Sequence, residues 1–335
     1  MILVTGGTGL VGSHLLYHLT LENDAIRAIY RTKKSLEAVQ KVFSYYTDSV
    51  APLFSKIEWV QADITDVPSL EPVFKDVTFV YHAAALVSFG SKEYRAMRQV
   101  NIEGTANIVN FCIDKKVRKL CFVSSIAAVG ESINSKKINE ENEWAVGKNN
   151  SGYSITKYGA EMEVWRATQE GIDVVIVNPG VILGAGFWSL NTGKLFSKVA
   201  KGFRFYTEGV TGFVGVTDVA KAMLQLMKSE VKNERFILVS ENKSFKEVFS
   251  LIAEGLGKKK PRVKISKTLT AILWRIDTVI SNITRKTPLL TKESARSLHS
   301  VSQYSSEKIT TKLNYSFEPI KEVVQKTCIV YLKEG

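Results

Sequence analysis

The sequence predicts an α/β fold, in which a doubly wound parallel sheet carries helices on both faces and is followed by a smaller, mostly helical C-terminal lobe. Short runs rich in β-branched residues alternate with helical patterns through the first half of the chain. A glycine-rich turn joins the first run to the first helix, and the alternation stops after Pro179. Strands separated by helices form right-handed βαβ units, so we expect parallel strands with a ligand site at their carboxyl ends.

The predicted elements follow one another in a regular order. The strands are Ile2–Thr5, Ala25–Tyr30, Ile57–Gln61, Thr78–His82, Lys119–Ser124, Asp173–Asn178 and Glu234–Val239. The helices are Leu10–Leu21, Ser35–Ser44, Ser69–Phe74, Tyr94–Lys115, Ser151–Gly171, Leu195–Lys201 and Thr217–Lys228. The tail from residue 245 onward is predicted to be mostly helical.

The chain of 335 residues is long enough for one large domain or two modest ones. We assign residues 1–179 to the sheet domain, which residues of about 213–240 complete. Residues 180–212 and 241–335 form the predicted lobe, which we expect to bind the substrate over the mouth of the sheet.

The composition is that of a globular protein in water, with 45% hydrophobic and 23% charged residues. We find no apolar run of the ~20 residues that a membrane span needs and no signal-peptide pattern, so a cytoplasmic location is predicted. The three cysteines and four histidines lack metal-ligand spacing, so no metal site is predicted. Cys112 and Cys121 lie in apolar runs and are interpreted as buried free thiols.

The net charge of +12 is spread along the chain, except for a dense basic segment from Lys258 to Arg275 that holds seven Lys or Arg residues and no acid. Nucleic-acid binding is not favoured, because no basic motif interleaved with aromatic residues occurs. A basic surface that attracts phosphate-bearing cofactors or substrates is the preferred interpretation.

The glycine-rich turn carries the first chemical signal. Gly6, Gly9 and Gly12 have the spacing G-x-x-G-x-x-G between the first strand and the first helix. Phosphate needs backbone amides at close range, and the helix N-terminus adds partial positive charge. A glycine turn without a ligand is the alternative, but the strand–turn–helix context favours a dinucleotide site of the Rossmann type. The predicted contact residues of this turn are Gly6, Thr8, Gly9, Leu10, Val11 and Gly12.

The end of the second strand bears on the choice of cofactor. An acidic residue at this place would bind the ribose 2′-hydroxyl of NAD. Instead the sequence has Arg31, and no acid occurs between Asp24 and Glu37. Because a guanidinium pairs well with a 2′-phosphate, NADP is favoured, although Arg31 on the adenine face would tolerate NAD as well.

A tyrosine and a lysine lie four residues apart in the predicted helix 151–171. Tyr153 and Lys157 therefore share a helix face, where the lysine charge is expected to lower the pKa of the phenol for acid–base chemistry. This spacing also occurs by chance on helix surfaces. Its position soon after the fifth strand, which ends at Ser124 and Ser125, indicates a catalytic site.

Taken together, the motifs resemble the extended short-chain dehydrogenases/reductases, the NAD-dependent epimerase/dehydratase family. The similarity covers most of residues 1–240 and is greatest to the branch of dihydroflavonol reductases and 3β-hydroxysteroid dehydrogenases. It rests on TGGTGLVG (5–12), Asp63-Ile64, HAAA (82–85), NIEGT from Asn101, VSSIAAVG (123–130), YSITK (153–157) and NPGVILG (178–184). One departure is Ala185, which stands where the branch has a proline.

The resemblance implies a role for each matching position. Ser125, Tyr153 and Lys157 would be catalytic, with Tyr153 as the acid/base and Lys157 also binding the nicotinamide ribose. Further cofactor contacts are implied at Asp63, Ile64, Ala83, Ala84, Ala85, Ser124, Pro179, Gly180, Val181 and Ile182. Asn101 would brace the sheet or be a buried structural amide, and Asp218 would cap a helix.

The substrate is predicted to be a hydrophobic or ring-containing carbonyl compound or alcohol, because the segments expected around the pocket are apolar and aromatic. Beside Ser125, the predicted contacts are Val87, Phe187 and Trp188. The favoured function is NADP-dependent oxidoreduction at a ketone, aldehyde or alcohol. A nucleotide-sugar epimerase with bound NAD and a non-catalytic cofactor-sensing protein are the alternatives; a dehydratase lacks support because no acid follows Ser125.

Two expectations concern partners. A homodimer is expected from the family resemblance, through the helices 94–115 and 151–171. The segment 258–283 contains apolar residues near helical spacing after its basic cluster, and a lid or interface helix is the preferred interpretation. Contact with a membrane surface is the alternative.

Overall fold

A seven-stranded, fully parallel sheet forms the centre of the molecule, in the order β10-β6-β5-β4-β1-β2-β3. The structure is a computed structural model that describes residues 1–23, 25–88, 90, 93–132, 137–145, 147, 150–284 and 290–334, with only the backbone of 279, 282 and 283. The strands of this sheet are β1 (Ile2–Thr5), β2 (Ile26–Tyr30), β3 (Ile57–Gln61), β4 (Phe79–His82), β5 (Lys119–Val123), β6 (Asp173–Pro179) and β10 (Glu234–Leu238).

The direction of winding reverses between β1 and β4. Strands β2 and β3 lie on one side of β1, while β4, β5, β6 and β10 follow in turn on the other side. In open α/β sheets, ligands bind at the carboxyl ends of the strands beside this reversal. The glycine turn after β1 and the residues after β4 therefore meet at the predicted ligand site.

Helices cover both faces of the sheet, because its strands are apolar on both sides. One face packs against α1 (Leu10–Glu22), α2 (Ser35–Phe43), α3 (Val50–Phe54) and α9 (Val216–Lys228). The other packs against α4 (Val67–Leu70), a 3₁₀ turn (Pro72–Phe74), α6 (Gly104–Asp114) and α7 (Gly152–Gln169). The α/β class and its parallel doubly wound sheet are thereby confirmed.

The predicted helix Tyr94–Lys115 is interrupted. It consists of α5 (Tyr94–Arg98), a π-helical turn (Gln99–Glu103) and α6. Asn101 lies in this turn, and its side-chain amide is hydrogen-bonded to the backbone of Leu86 (2.7 and 3.0 Å) and to the Thr156 hydroxyl (3.0 Å). The amide thus holds the segment after β4 against α7.

The C-terminal lobe contains strands that the sequence did not predict. A three-stranded sheet combines β7 (Val181–Leu183), β9 (Val210–Gly215) and β11 (Glu241–Ser244), and β8 (Phe205–Tyr206) pairs with β12 (Val263–Lys264). The helices of the lobe are α8 (Gly193–Ala200), α10 (Phe245–Gly255), α11 (Lys267–Thr284), α12 (Lys292–Ser297), α13 (Glu307–Leu313) and α14 (Ile320–Glu334). Its core is a separate cluster formed mainly by α8, α10 and α14.

Asp218 differs from its expected role as a helix cap. The residue that caps α9 is Gly215, and Asp218 lies in the first turn. Its carboxylate accepts a hydrogen bond from the Glu318 amide (3.1 Å), so it joins α9 to the approach to α14.

Within the described part of the chain, no helix combines the length and the apolar character that crossing a bilayer requires.

Candidate active site

The glycine turn is shaped by two close backbone contacts. Gly6 has a φ of +69°, and a Cβ there would lie 2.5 Å from the Ala84 amide nitrogen. A Cβ on Gly12 would lie 2.1 Å from the Gly6 carbonyl oxygen. Both positions require glycine because α1 and the segment after β4 approach the turn so closely.

Gly9 is different, because the fold itself leaves room there for a side chain. A Cβ on this exposed residue would lie no nearer than 3.4 Å to another heavy atom, the Gly6 carbonyl oxygen. Gly9 is also the N-cap of α1, and it offers no side chain to bind the first amides of the helix. The open cradle and the uncapped helix start, at Leu10 and Val11, fit a phosphate group. Thr8, half-buried, lies between Gly7 and Gly9 in this turn.

The residues after β4 lie beside the glycine turn. His82 ends β4, and its imidazole is hydrogen-bonded to Thr5 at the end of β1 (2.5 Å) and to Thr105 (2.9 Å). Burial and the nearby Lys157 charge lower the pKa of His82 to about 3, so the ring is neutral and structural. Residues 83–85 follow without regular structure, and Ala85 is exposed.

The ends of β2 and β3 carry the residues predicted to surround the adenosine. Arg31 directly follows β2 and is exposed, and its carbonyl accepts a hydrogen bond from the Gln61 side chain (3.1 Å). The Asp63 carboxylate accepts from the Thr65 amide (2.9 Å) and hydroxyl (2.8 Å), which fixes the turn after β3. Ile64 is buried against α6 near Gly104.

Tyr153 and Ser125 are hydrogen-bonded through their side chains. Tyr153 lies in the first turn of α7, where Ser151 caps the helix by accepting from the Ser154 amide (3.0 Å). Ser125 begins a 3₁₀ turn just after β5, and its hydroxyl accepts from the Ala127 amide (3.1 Å). The strand end and the helix start therefore bring together the two hydroxyl groups predicted to act on the substrate.

Lys157 is almost fully buried, at 2% exposure. Its ammonium donates to the Val123 carbonyl oxygen at the end of β5 (2.7 Å) and lies 4.5 Å from the centre of the Phe122 ring. Burial lowers the pKa of Lys157 to about 7, although the negative charge of Glu161 opposes the shift. The side chain can therefore gain or lose a proton near neutral pH.

The pKa of Tyr153 shifts in the direction opposite to that expected from the sequence. We expected Lys157 to lower it, but burial raises the pKa of Tyr153, and the hydrogen bond with Ser125 opposes this only in part. A raised pKa keeps the phenol protonated at neutral pH, as a proton donor requires.

A buried network that was not predicted from the sequence lies beneath the site and centres on Glu161. This fully buried carboxylate accepts from the Ser124 hydroxyl (2.7 Å), the Asn178 side-chain amide (3.0 Å) and the Arg235 guanidinium (3.1 Å). It thereby connects α7 to the ends of β5 and β6 and to β10. The only available signal was the placement of Glu161 four residues after Lys157, on the same helix face.

The network turns Ser124 towards the protein interior, where its hydroxyl is occupied by Glu161. Arg235 also donates to the carbonyl oxygens of Glu140 (2.7 and 3.0 Å) and Asn142 (3.0 Å). Contact of Ser124 with a cofactor stays a prediction.

The segment Pro179–Ile182 runs from the end of β6 into β7, and a Cβ on Gly180 would lie 2.4 Å from the Gly212 carbonyl oxygen.

A cavity of about 630 Å³ opens beside the segments that carry the paired hydroxyls, although Ser125 and Tyr153 are not among its described walls. Its walls include the residues that follow Ser125 and residues on both sides of Tyr153. The apolar and aromatic part consists of Ile126, Ala127, Val129, Ile138, Trp144, Ala145, Val301 and Tyr304. The rest of the wall is mainly polar, and it carries both positive charge, from Lys292 and Arg296, and negative charge, from Glu131 and Glu293.

The other predicted substrate contacts lie elsewhere. Trp188 donates from its indole nitrogen to Glu334 (2.8 Å) and packs against Tyr331 in α14, 4.9 Å between ring centres. Phe187 is half-buried with a φ of +55°, and Val87 is 37% exposed after β4. The described walls of the cavity do not include these three residues, whose contact with substrate stays a prediction.

All three cysteines are buried free thiols, as predicted for Cys112 and Cys121. Among the described residues there is no group of three or more His, Cys, Asp or Glu side chains that could hold a metal ion.

The sequence of this chain matches a family model and several known proteins over the whole sheet domain. The model of the NAD dependent epimerase/dehydratase family matches residues 2–238. A putative dihydroflavonol 4-reductase of Synechocystis is 27% identical over 96% of this chain and 91% of its own length. The 3beta-hydroxysteroid-dehydrogenase/decarboxylase isoform 1 of Arabidopsis thaliana is 23% identical over 97% of this chain and 78% of its own length.

Solved structures agree on the fold. A UDP-glucose 4-epimerase from Thermotoga maritima, crystallised with UDP-glucose, superposes with a TM-score of 0.77 at 21% identity, over 99% of both chains. At this identity the likeness concerns the fold alone.

Proposed function

Because this chain belongs to the NAD-dependent epimerase/dehydratase family and is an NAD(P)-dependent oxidoreductase of the extended short-chain type, we propose that it reduces a hydrophobic, ring-containing ketone or aldehyde with NADPH. The observation that carries the proposal is the hydrogen bond between Tyr153 and Ser125, next to a cavity whose wall is in part apolar and aromatic. The same groups would serve the reverse oxidation of the alcohol.

Residues at the carboxyl ends of β1, β2 and β4 could together bind the whole dinucleotide. The cradle at Gly9 and the free amides at the start of α1 would hold its phosphates, and the segment 83–85 would lie along its ribose. Arg31 would pair with the 2′-phosphate that distinguishes NADP from NAD. When bound, the nicotinamide supplies the hydride.

The proton would come from the Tyr153 hydroxyl. Burial raises its pKa, so the proton is present at neutral pH and available to the oxygen of a carbonyl compound. Ser125 would hold that oxygen next to the phenol. Lys157, with a pKa of about 7, would stabilise the phenolate that remains and can return a proton to it.

The cavity supports the substrate class. An apolar and aromatic wall next to two hydroxyl groups suits a rigid ring that carries one polar atom to be held.

The test is a titration with NADPH and NADH, followed by a panel of polycyclic ketones, aryl aldehydes, short aliphatic ketones and UDP-glucose, monitored at the nicotinamide absorbance. We expect NADPH to bind more tightly and ring ketones to be reduced. Tyr153→Phe should lower kcat by about 10²–10⁴-fold with unchanged NADPH binding, because it loses only the transferable proton.

Tyr158→Phe is the matched control, because it removes a hydroxyl from the same helix and keeps the ring that stacks on Trp144. Full turnover by Tyr153→Phe would exclude the proposed proton donor. Tighter binding of NADH would overturn the role of Arg31, and interconversion of UDP-sugars without net oxidation of the cofactor would replace reduction by epimerisation.

A further inference from the structure

Helix α11 turns its apolar side chains outwards. Five Leu and Ile residues are between 39% and 51% exposed: Leu269, Ile272, Leu273, Ile276 and Ile280. At about 100° per residue they form one stripe about 100° wide along almost the whole helix.

The inner side of α11 is polar in part. Thr270, 3% exposed, donates to the Ser266 carbonyl oxygen (2.9 Å) and is hydrogen-bonded to His299 (2.8 Å). Ser281 is 5% exposed, and the Asp277 carboxylate accepts from the Leu290 amide (2.8 Å). The helix therefore packs on the lobe through hydrogen-bonding groups as well as through the half-buried Ala271 and Trp274, and it leaves its apolar stripe to the outside.

A helix on a globular protein usually buries its large aliphatic side chains, whereas α11 exposes them. Isolated exposed apolar residues are common, but a continuous stripe of large aliphatic side chains marks a surface that meets another apolar phase. Hydrogen bonds at Thr270 and Asp277 join the helix that carries the stripe to the rest of the lobe.

Exposed basic residues lie on α11 and on the elements next to it in the sequence. Arg275 lies about 100° around the helix from Ile276, and the strand β12 that precedes α11 is flanked by exposed Lys258, Lys259 and Arg262. Exposed Glu254 and Glu208 neutralise Lys260 and Lys264. Lys292 and Arg296 on the adjoining α12 are also exposed, while the carboxylate of Asp277 is directed inwards.

We propose that α11 lies in the surface of a bilayer that contains anionic lipids, with its Leu and Ile stripe among the acyl chains and its basic surroundings at the headgroups. A large apolar face with Lys and Arg beside it is the combination that holds a helix parallel to such a surface. A second copy fits less well, because a two-fold contact would place equal positive surroundings against each other.

The proposal does not depend on the identity of the substrate, but it affects how the site is reached. Between α11 and α12 lies a second cavity of about 440 Å³. Lys292, Arg296 and Ser300 line this cavity and the one beside Tyr153. Docking through α11 would therefore bring the bilayer next to the wall that the two cavities share.

The test is co-flotation of the full chain with vesicles of phosphatidylcholine alone and of phosphatidylcholine mixed with phosphatidylserine. We expect binding to the anionic vesicles, weak binding to the neutral ones, and a marked loss in about 1 M salt, where the screening length is about 3 Å. The triple variant Ile272→Ser, Ile276→Ser, Ile280→Ser should bind at least about ten-fold less, since it removes apolar area from the stripe.

The matched control is Ile329→Ser, Leu332→Ser on α14, whose side chains are 55% and 57% exposed outside the stripe and whose loss should leave vesicle binding unchanged. A second variant, Lys258→Glu, Lys259→Glu, should weaken only the anionic binding and keeps the test decisive if the serine variant folds poorly. Absence of wild-type binding to anionic vesicles would overturn the proposal. So would sedimentation that shows a dimer broken by the serine variant, because the stripe would then be an interface between copies.

Discussion

Helices α7 and α11 have the same length, 18 residues, and both place polar side chains where a helix normally places apolar ones. In α7 the buried polar groups include the charged Glu161 and Lys157, each of which has hydrogen-bond partners within 3.1 Å. In α11 the inward-facing polar groups are the buried hydroxyls of Thr270 and Ser281 and the half-buried carboxylate of Asp277, while five aliphatic side chains face outwards.

The two helices bury polar side chains for different reasons. Buried charges are tolerated only with complete partners, so their presence in α7 indicates that chemistry requires them. Exposed aliphatic residues need no partner inside the protein, so their continuity in α11 indicates contact with something outside it. We therefore expect substitutions of the buried charged residues of α7 to affect folding and turnover strongly and substitutions in the stripe of α11 to affect neither.

The largest expected effect on stability is that of Glu161→Ala. Removal of this carboxylate leaves Arg235 largely buried without its anion and Ser124 and Asn178 without their acceptor. Breaking a buried pair in this way costs about 3–5 kcal/mol. The free energy of unfolding, measured by urea titration, gives the value.

The control is Glu163→Ala in the same helix, whose half-exposed pair with Arg166 contributes no more than about 0.5 kcal/mol. Equal losses for both variants would contradict the role of the network. The isosteric Glu161→Gln provides a second measurement. Because the Glu161 charge raises the pKa of Lys157, its removal should shift the limb of the pH–rate profile that reports Lys157 to lower pH.

Asp218 in α9 is a third case for this comparison, because it is a buried carboxylate that accepts hydrogen bonds from neutral donors. Burial raises its pKa from 3.8 to about 6. The protonated form is therefore favoured by folding, and the contribution of this group to the free energy of unfolding falls as the pH rises from about 4 to about 6 and is constant above. Water reaches part of the carboxylate, so we expect a fall of about 1–2 kcal/mol rather than about 3 kcal/mol.

Asp218→Asn removes this titration and can still accept from the Glu318 amide. Its free energy of unfolding relative to the wild type should therefore rise by about 1–2 kcal/mol between pH 4 and pH 6. A difference that does not change with pH would mean that the native carboxylate titrates normally. Chemical denaturation at several pH values, with Asp173→Asn on the surface as a control, measures it.

Most strands and helices of the sheet domain could be predicted from the sequence, although α3 was missed and the predicted helix Tyr94–Lys115 is interrupted. The family match confirms the resemblance found in the motifs. The predictions succeeded because β1, β4, β5 and β6 consist mainly of apolar residues and because the glycine turn and the Tyr153–Lys157 spacing depend on neighbours in the sequence. In the small sheet, β7 was missed because it has only three residues, β9 because it contains two glycines, and β11 because all its residues are polar. The partners of Glu161 come from distant strands, Arg235 being 74 residues away, so no local pattern could reveal the network.

The smallest expected effect concerns the stripe of α11. Ile276 is 50% exposed, so Ile276→Ala should change the free energy of unfolding by no more than about 0.5 kcal/mol. Ile252→Ala, the same substitution at a fully buried position of α10, should cost about 2–5 kcal/mol, because it leaves a cavity in the core of the lobe. Urea denaturation without lipid measures both. A loss above about 1 kcal/mol for Ile276→Ala that grows with protein concentration would show that another copy covers the stripe in solution, since only an oligomer makes stability depend on concentration.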